Sequence, residues 1–256
     1  MEPRIWKTVY DWALLSVYFY GVISFFALFF ISAPYGRHFR KGWGWSLPAK
    51  TAWILMELPA FGVILAFFLF NGSWTSPVLT AFIVIWEMHY TQRTFIYPLL
   101  LKSPGKPFPL LLLALGFLFN AMNGYINGYY LFQSGAPYPP DWFRSPQFII
   151  GTALFFAGYG INLQSDATLR GLKETGSGDY RIPGGGLFRF VSCPNYLGEI
   201  LEWCGFAVLT WSPAGLAFAF FTFCNLAPRA LSNHKWYREV FPAYPASRKA
   251  LIPFLW

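Results

Sequence analysis

The sequence predicts an all-α membrane protein with seven transmembrane helices, its N-terminus outside and its C-terminus in the cytoplasm. Three observations carry that expectation. Of 256 residues, 55% are hydrophobic, 22% aromatic and only 12% charged, against about a quarter charged in a soluble domain. Seven apolar runs reach or approach the roughly 20 residues that cross a bilayer. Lys and Arg, 19 in all, then collect on one side of those runs.

The first run, Val9–Ile31, follows MEPRIWKTVYDW and is long enough to span rather than be cleaved as a signal peptide. Thr51–Phe70, Val78–Leu101, Pro109–Phe132 and Phe148–Leu169 are the next four. Tyr196–Trp211 and Pro213–Leu231 are shorter, meet at Ser212 and Pro213, and read as a tight helical hairpin. If all seven span, one side holds every Lys and Arg except Arg4, Lys7 and Arg144, a split of 16 to 3. Basic residues favour the cytoplasmic side, which sets the orientation and requires an odd number of spans. The net charge of +8 is therefore mostly topology, and no nucleic-acid partner is expected. No repeat or linker divides the chain, so residues 1–256 are taken as a single domain.

Cys193, Cys204 and Cys224 form no CxxC and lie near no His at ligand spacing, so neither disulfide nor metal is expected. Gly184–Gly186 is not a GxGxxG between strand and helix, and no Walker A, GxSxG or HExxH motif occurs.

Ionisable groups inside apolar runs are costly and tend to be functional. Glu57 lies within AWILMELPAF, where only protonation or a hydrogen bond from another helix can accommodate it. Tyr90, Arg93, Thr94 and Tyr97 make one polar stripe on the third run, with His89 beside it. Asn162, Asp166 and Arg170 recur every four residues on the fifth, as do Asn225, Arg229, Asn233 and Tyr237 on the seventh, next to His234. In IPGGGLFRFVSCPNYLGEILEW, Asn195, Glu199 and Glu202 share a helix face, either as a hydrogen-bond cluster between helices or as a ligand pocket. Gly124 and Gly128 form a GxxxG among Asn120, Asn123 and Asn127, which suits close packing or a cavity lining equally. Basic groups interleaved with Asn, Asp and Tyr at the cytoplasmic helix ends suggest a site for an anionic ligand such as a nucleotide. Glu57 lies deeper, within reach of an apolar substrate from the lipid.

The stretches YGRH (35–38), ELPAF (57–61), HYTQRTFIYP (89–98), GKPFP (105–109), INLQSDATLR (161–170), YRIPGGGLFRFVS (180–192) and NYLGEILEW (195–203) occur in an order that resembles the steroid 5α-reductase family of membrane oxidoreductases. The resemblance implies NADPH-dependent reduction of the Δ4 double bond of 3-oxo-Δ4 steroids. It implies that Glu57 and Tyr90 contact the 3-keto oxygen. Asn162, Asp166, Arg170, Tyr180, Arg181, Asn195, Glu199, Arg229 and Tyr237 become cofactor-site positions, in a cofactor-binding part of about residues 105–256. Arg93, Tyr97, Lys106, Lys173, Asn233 and His234 are grouped with them; Tyr35, Trp53, Phe119 and Asn123 are grouped with the steroid. A monomer in the lipid bilayer is expected, in the endoplasmic reticulum of a eukaryote or the inner membrane of a bacterium, with the lipophilic substrate arriving from the membrane. Lys173 stands where the family pattern leads one to expect Arg, Ser232 and Asn233 replace a His-rich run, and Gly184 replaces a Gln. VSCPNY is also similar to trans-2-enoyl-CoA reductases, the second reading. An isoprenylcysteine-type methyltransferase would need neither Glu57 nor Tyr90, and a transporter would show no NADPH consumption.

Overall fold

The computed structural model describes residues 2–34, 38–40, 42–102, 106–172 and 180–256; Tyr35 and Lys173 lie outside them. The chain is a helical bundle in the order α1 (Glu2–Phe30), α2 (Ala49–Phe70), α3 (Pro77–Thr91), α4 (Tyr97–Leu100), α5 (Leu110–Gly128), α6 (Pro146–Gly171), α7 (Pro194–Thr210) and α8 (Pro213–Val240). Among the described residues five helices are long and apolar enough to cross a membrane: Ile5–Phe30, Ala49–Phe70, Leu110–Gln133, Pro146–Gly171 and Pro213–Val240. The expected third and sixth runs are helical as well. α3 continues through a π-helical turn, Gln92–Ile96, into α4, and α7 has 17 residues.

Ser-Pro pairs start three of these helices. Ser76, Ser145 and Ser212 each accept a hydrogen bond from a first-turn N–H, at 3.4, 3.1 and 2.9 Å. The following prolines occupy the first helical position, where a missing N–H costs nothing. Among the described residues the helices are joined by one two-stranded sheet. β1 (Ser46–Pro48) pairs antiparallel with β2 (Pro107–Pro109), Leu47 opposite Phe108. These Pro-bounded triplets cannot extend a helix, and their pairing makes α2 and α5 begin at one clasp.

Glycine determines which helices meet. A Cβ on Gly124 would lie 3.1 Å from Val63 Cβ, and one on Gly128 2.6 Å from the Phe67 ring. The GxxxG therefore packs α5 on α2, and neither glycine walls the cavity described below. α6 and α7 approach more closely still. Gly151 and Gly158 of α6 face Gly205 and Gly198 of α7, so that a Cβ on any of the four would sit 2.3–2.6 Å from a backbone nitrogen of the other helix. Two glycines seven residues apart on each helix, read in opposite directions, make this seam. The core beside it is aromatic: Trp203 packs on Phe218 at 4.2 Å and on Trp86 at 5.1 Å between ring centroids. Trp86 Nε1 donates to the Ala60 carbonyl at 3.0 Å.

At the end of α7, Tyr138 and Trp142 donate to the carbonyls of Thr210 and Leu209 at 2.6 and 3.0 Å, satisfying helix-terminal acceptors. At its other end Gly185 and Gly186 take φ of 81° and 47°, conformations that favour glycine. The turn that follows is held by the C-terminal tail. Ser192 N and Cys193 N donate to the carbonyls of Lys249 and Ala250, and Arg248 Nη1 donates to Pro183 O at 2.9 Å.

Candidate active site

A cavity of about 640 Å³ runs through the bundle, within the usual size range of ligand sites. Its apolar part is walled by Tyr20 of α1, Trp53 and Met56 of α2, Phe119 of α5, Trp203 of α7 and Phe218 of α8. Its polar part is walled by side chains from α3, α6, α7, α8 and the segment around Tyr180.

Arg93, in the π turn, sits where the two parts meet. Its Nε is 3.9 Å from Glu57 Oε1, its Nη1 3.8 Å from Asp166 Oδ2 and its Nη2 3.7 Å from Glu199 Oε2. These are charge contacts longer than hydrogen bonds. The guanidinium also lies over the Trp53 and Tyr97 rings, 4.8 and 5.1 Å from their centroids. One cation thus faces three carboxylates from three helices, an arrangement that a planar, always-charged group tolerates better than lysine.

Glu57 is buried, 8% exposed. Its partner on another helix is Asn120, whose Nδ2 donates to Glu57 Oε2 at 3.1 Å and to Met56 O at 2.8 Å. Tyr90, 2% exposed, is held between the Trp86, His89 and Trp203 rings, at 5.0, 5.0 and 5.7 Å. Both residues wall the cavity. The tight ring packing leaves the phenol little freedom to turn.

On the polar side Asn195 Nδ2 donates to Asp166 Oδ1 at 3.1 Å, and Asn162 Nδ2 donates to Asn195 O at 3.0 Å. Arg170, Tyr180, Arg181, Arg229, Asn233, Tyr237 and Lys106 all reach the wall, the last lying 5.8 Å from the Tyr180 ring. Arg170 Nη1 is buried with no hydrogen-bond partner among the described residues. His38 Nε2 is 3.2 Å from Asn233 Oδ1.

The structure brings most of the expected residues to this one cavity and sets others behind it. Trp53, Tyr97 and Phe119 wall it; Asn123, Asn162 and His234 do not. Asn123 is fully buried and accepts at Oδ1 from Asn127 Nδ2 at 3.0 Å. His234 Nδ1 is bonded to Ser192 Oγ at 2.6 Å, and that hydroxyl also meets the Tyr244 hydroxyl at 2.7 Å. The stripe on α3 is interrupted because the π turn adds a residue to the helical repeat. Thr94 therefore turns into the packing, 0% exposed, while Arg93 and Tyr97 keep the cavity side. The expected face Asn195, Glu199, Glu202 divides too. The first two wall the cavity, and Glu202 turns behind it to His89 Nδ1 at 2.7 Å.

Comparison with known proteins gives the chain a family. The family model described as 3-oxo-5-alpha-steroid 4-dehydrogenase matches residues 106–256. The chain is 43% identical to 3-oxo-5-alpha-steroid 4-dehydrogenase 1 of Bos taurus, over 92% of each protein. The chain belongs to the 3-oxo-5-alpha-steroid 4-dehydrogenase family. Within that family it is also 42% identical to steroid 5-alpha-reductase DET2 of Arabidopsis thaliana over the whole of both chains. It is 47% identical to 3-oxo-5-alpha-steroid 4-dehydrogenase 2 of Sus scrofa over 82% of each. The 3-oxo-5-alpha-steroid 4-dehydrogenase match holds the polar wall from Lys106 to Tyr237; Glu57, Tyr90 and Arg93 precede it and fall within the full-length likeness to the plant relative.

Proposed function

We propose that this protein is an NADPH-dependent membrane reductase that converts a 3-oxo-Δ4 steroid to the 5α-reduced 3-oxo steroid. The observation that carries the reading is the shared cavity. A carboxyl and a phenol from two helices wall it beside aromatic surface, and a basic, amide-rich wall continues from them. Family membership and the names of the relatives support it.

The polar wall fits a phosphorylated dinucleotide. Arg170 has a buried guanidinium nitrogen without a partner, and an anion answers such a donor. Lys106, Arg170, Arg181 and Arg229 would hold phosphates, and Asp166, Asn195, Glu199 and Tyr237 the hydrogen-bonding remainder. When bound, the reduced nicotinamide supplies the hydride.

As C5 receives hydride, negative charge develops on the 3-oxygen. Tyr90 donates a hydrogen bond there, in a site from which packed rings exclude water and where such a donor is worth most. Glu57 accepts from Asn120 and orients the steroid's ketone end beside Tyr90. Arg93 keeps Glu57 aligned with the carboxylates of the polar wall. The helical runs at 77–100 and 194–210 complete seven spans, with the C-terminus cytoplasmic. The protein acts as a monomer and takes its steroid from the bilayer; in a eukaryotic host that bilayer is the endoplasmic reticulum.

The test is a turnover assay. Purified protein with NADPH and testosterone or progesterone should oxidise one NADPH per 5α-reduced product, identified by mass and stereochemistry. Turnover of an enoyl-CoA alone moves the assignment to the second reading. Absence of NADPH oxidation with every substrate overturns both.

A further inference from the structure

At the cavity wall, with one member behind it, lies an ionisable pair that this mechanism does not use. His89 Nδ1 and Glu202 Oε1 are 2.7 Å apart, with side-chain exposures of 4% and 0%. Glu202 Oε2 is buried with no partner among the described residues. A buried single charge is costly, so the pair is held net neutral, with one proton between Glu202 Oε1 and His89 Nδ1 and a second on His89 Nε2.

The other nitrogen is available. His89 Nε2 has no hydrogen-bond partner among the described residues and, unlike Glu202 Oε2, is not sealed off. His89 itself walls the cavity. Its ring meets Tyr90 at 5.0 Å and Trp203 at 4.6 Å, edge to face in both cases, so it cannot swing away. The ring of Tyr90, which grips the ketone on the reading above, is this imidazole's neighbour in space, and both wall the cavity. A group bound at Tyr90 through its 3-oxygen has C4 two bonds from that oxygen.

We infer that His89 is the proton donor to C4, with Glu202 as its positioning residue. The inference rests on the ene-reductase reading above. Once C5 has received its hydride, the former C4=C5 pair forms a C3=C4 bond and the carbonyl pair rests on oxygen. The Nε2–H bond of His89 then breaks and leaves its electrons on the ring. C4 takes the proton with the C3=C4 pair, and the C3 carbonyl re-forms. Neutral His89 recovers a proton from water through the polar end of the cavity. Net, the substrate gains one hydride and one proton.

The experiment runs the reaction in D2O and reads deuterium at C4 by NMR at short times. Wild-type protein places deuterium on one face of C4. His89→Gln, which keeps a hydrogen bond to Glu202, loses about 100-fold or more in kcat, the usual share of a general acid, while KM changes little. Its solvent isotope effect rises because protonation has become slow, and deuterium enters both faces as water replaces the imidazole. Glu202→Gln falls between the two. Equilibrium binding of NADPH, followed by fluorescence, stays within two-fold in both variants and shows that they are folded. Retained facial selectivity with an unchanged isotope effect in His89→Gln overturns the inference while leaving the reductase reading intact. Failure of wild-type protein to reduce any steroid overturns the reading itself.

Discussion

Tyr90→Phe lowers kcat about 100- to 1,000-fold, the loss typical of removing one hydrogen bond to a developing oxyanion, while NADPH binds as before. The phenol ring is held by Trp86, His89 and Trp203, so phenylalanine fits the same space and only the donor is lost. Tyrosine, with a reference pKa of about 10, is a donor at neutral pH, whereas phenylalanine has nothing to offer the ketone. Glu57→Gln behaves in the same direction. The amide oxygen still accepts from Asn120, but the carboxyl group facing Arg93 is gone. Steady-state kinetics and NADPH fluorescence titration measure both variants. Normal steroid reduction by either removes that residue from the mechanism.

The second large effect is on the fold. Gly158→Ala places a methyl 2.4 Å from Glu202 N and 2.5 Å from Gly198 O. Both are backbone atoms, so no side-chain rotation relieves the clash and the helices must part. Overpacking ordinarily costs about 1–3 kcal/mol, and this site lies at or beyond the upper end. The damage reaches the cavity because α6 carries Asp166 and α7 carries Asn195 and Glu199. Gly158→Ala is expected to lower the thermal midpoint and abolish NADPH binding together. Gly160→Ala, two residues away with nothing within 4 Å, is the matched control. It should be neutral or slightly stabilising, since alanine favours a helix by about 1 kcal/mol over glycine. Equal behaviour of the two variants would mean that the seam is not close-packed.

What the sequence reveals about the site is what a straight helix repeats. Asn225, Arg229, Asn233 and Tyr237 are four apart and all reach the cavity; Asp166 and Arg170 do likewise. What it conceals are relations between helices. Asn120 and Glu57 are 63 residues apart and His89 and Glu202 are 113 apart, and no local period links either pair. The glycine seam is hidden for the same reason. Seven-residue spacing on α6 or α7 alone means little until the two are known to lie side by side in opposite directions. The π turn is local, yet QRTFI carries no Gly or Pro to announce it. Asn162 and Asp166 are also only four apart, but one supports the wall while the other belongs to it, a difference of depth that periodicity does not record.

α1 contributes Tyr20, Ser24 and Ala27 to the cavity wall, yet only 11% of its apolar window is buried within the protein. Most of that helix faces outward, where a bilayer would meet it, and its apolar stretch of 26 residues is longer than a typical hydrocarbon slab requires. A bilayer that thins or thickens tilts such a helix. On the function proposed above, that helix is also one side of the reaction chamber, so sterol content and chain length in the host membrane are expected to change how tightly the chamber closes on its guest.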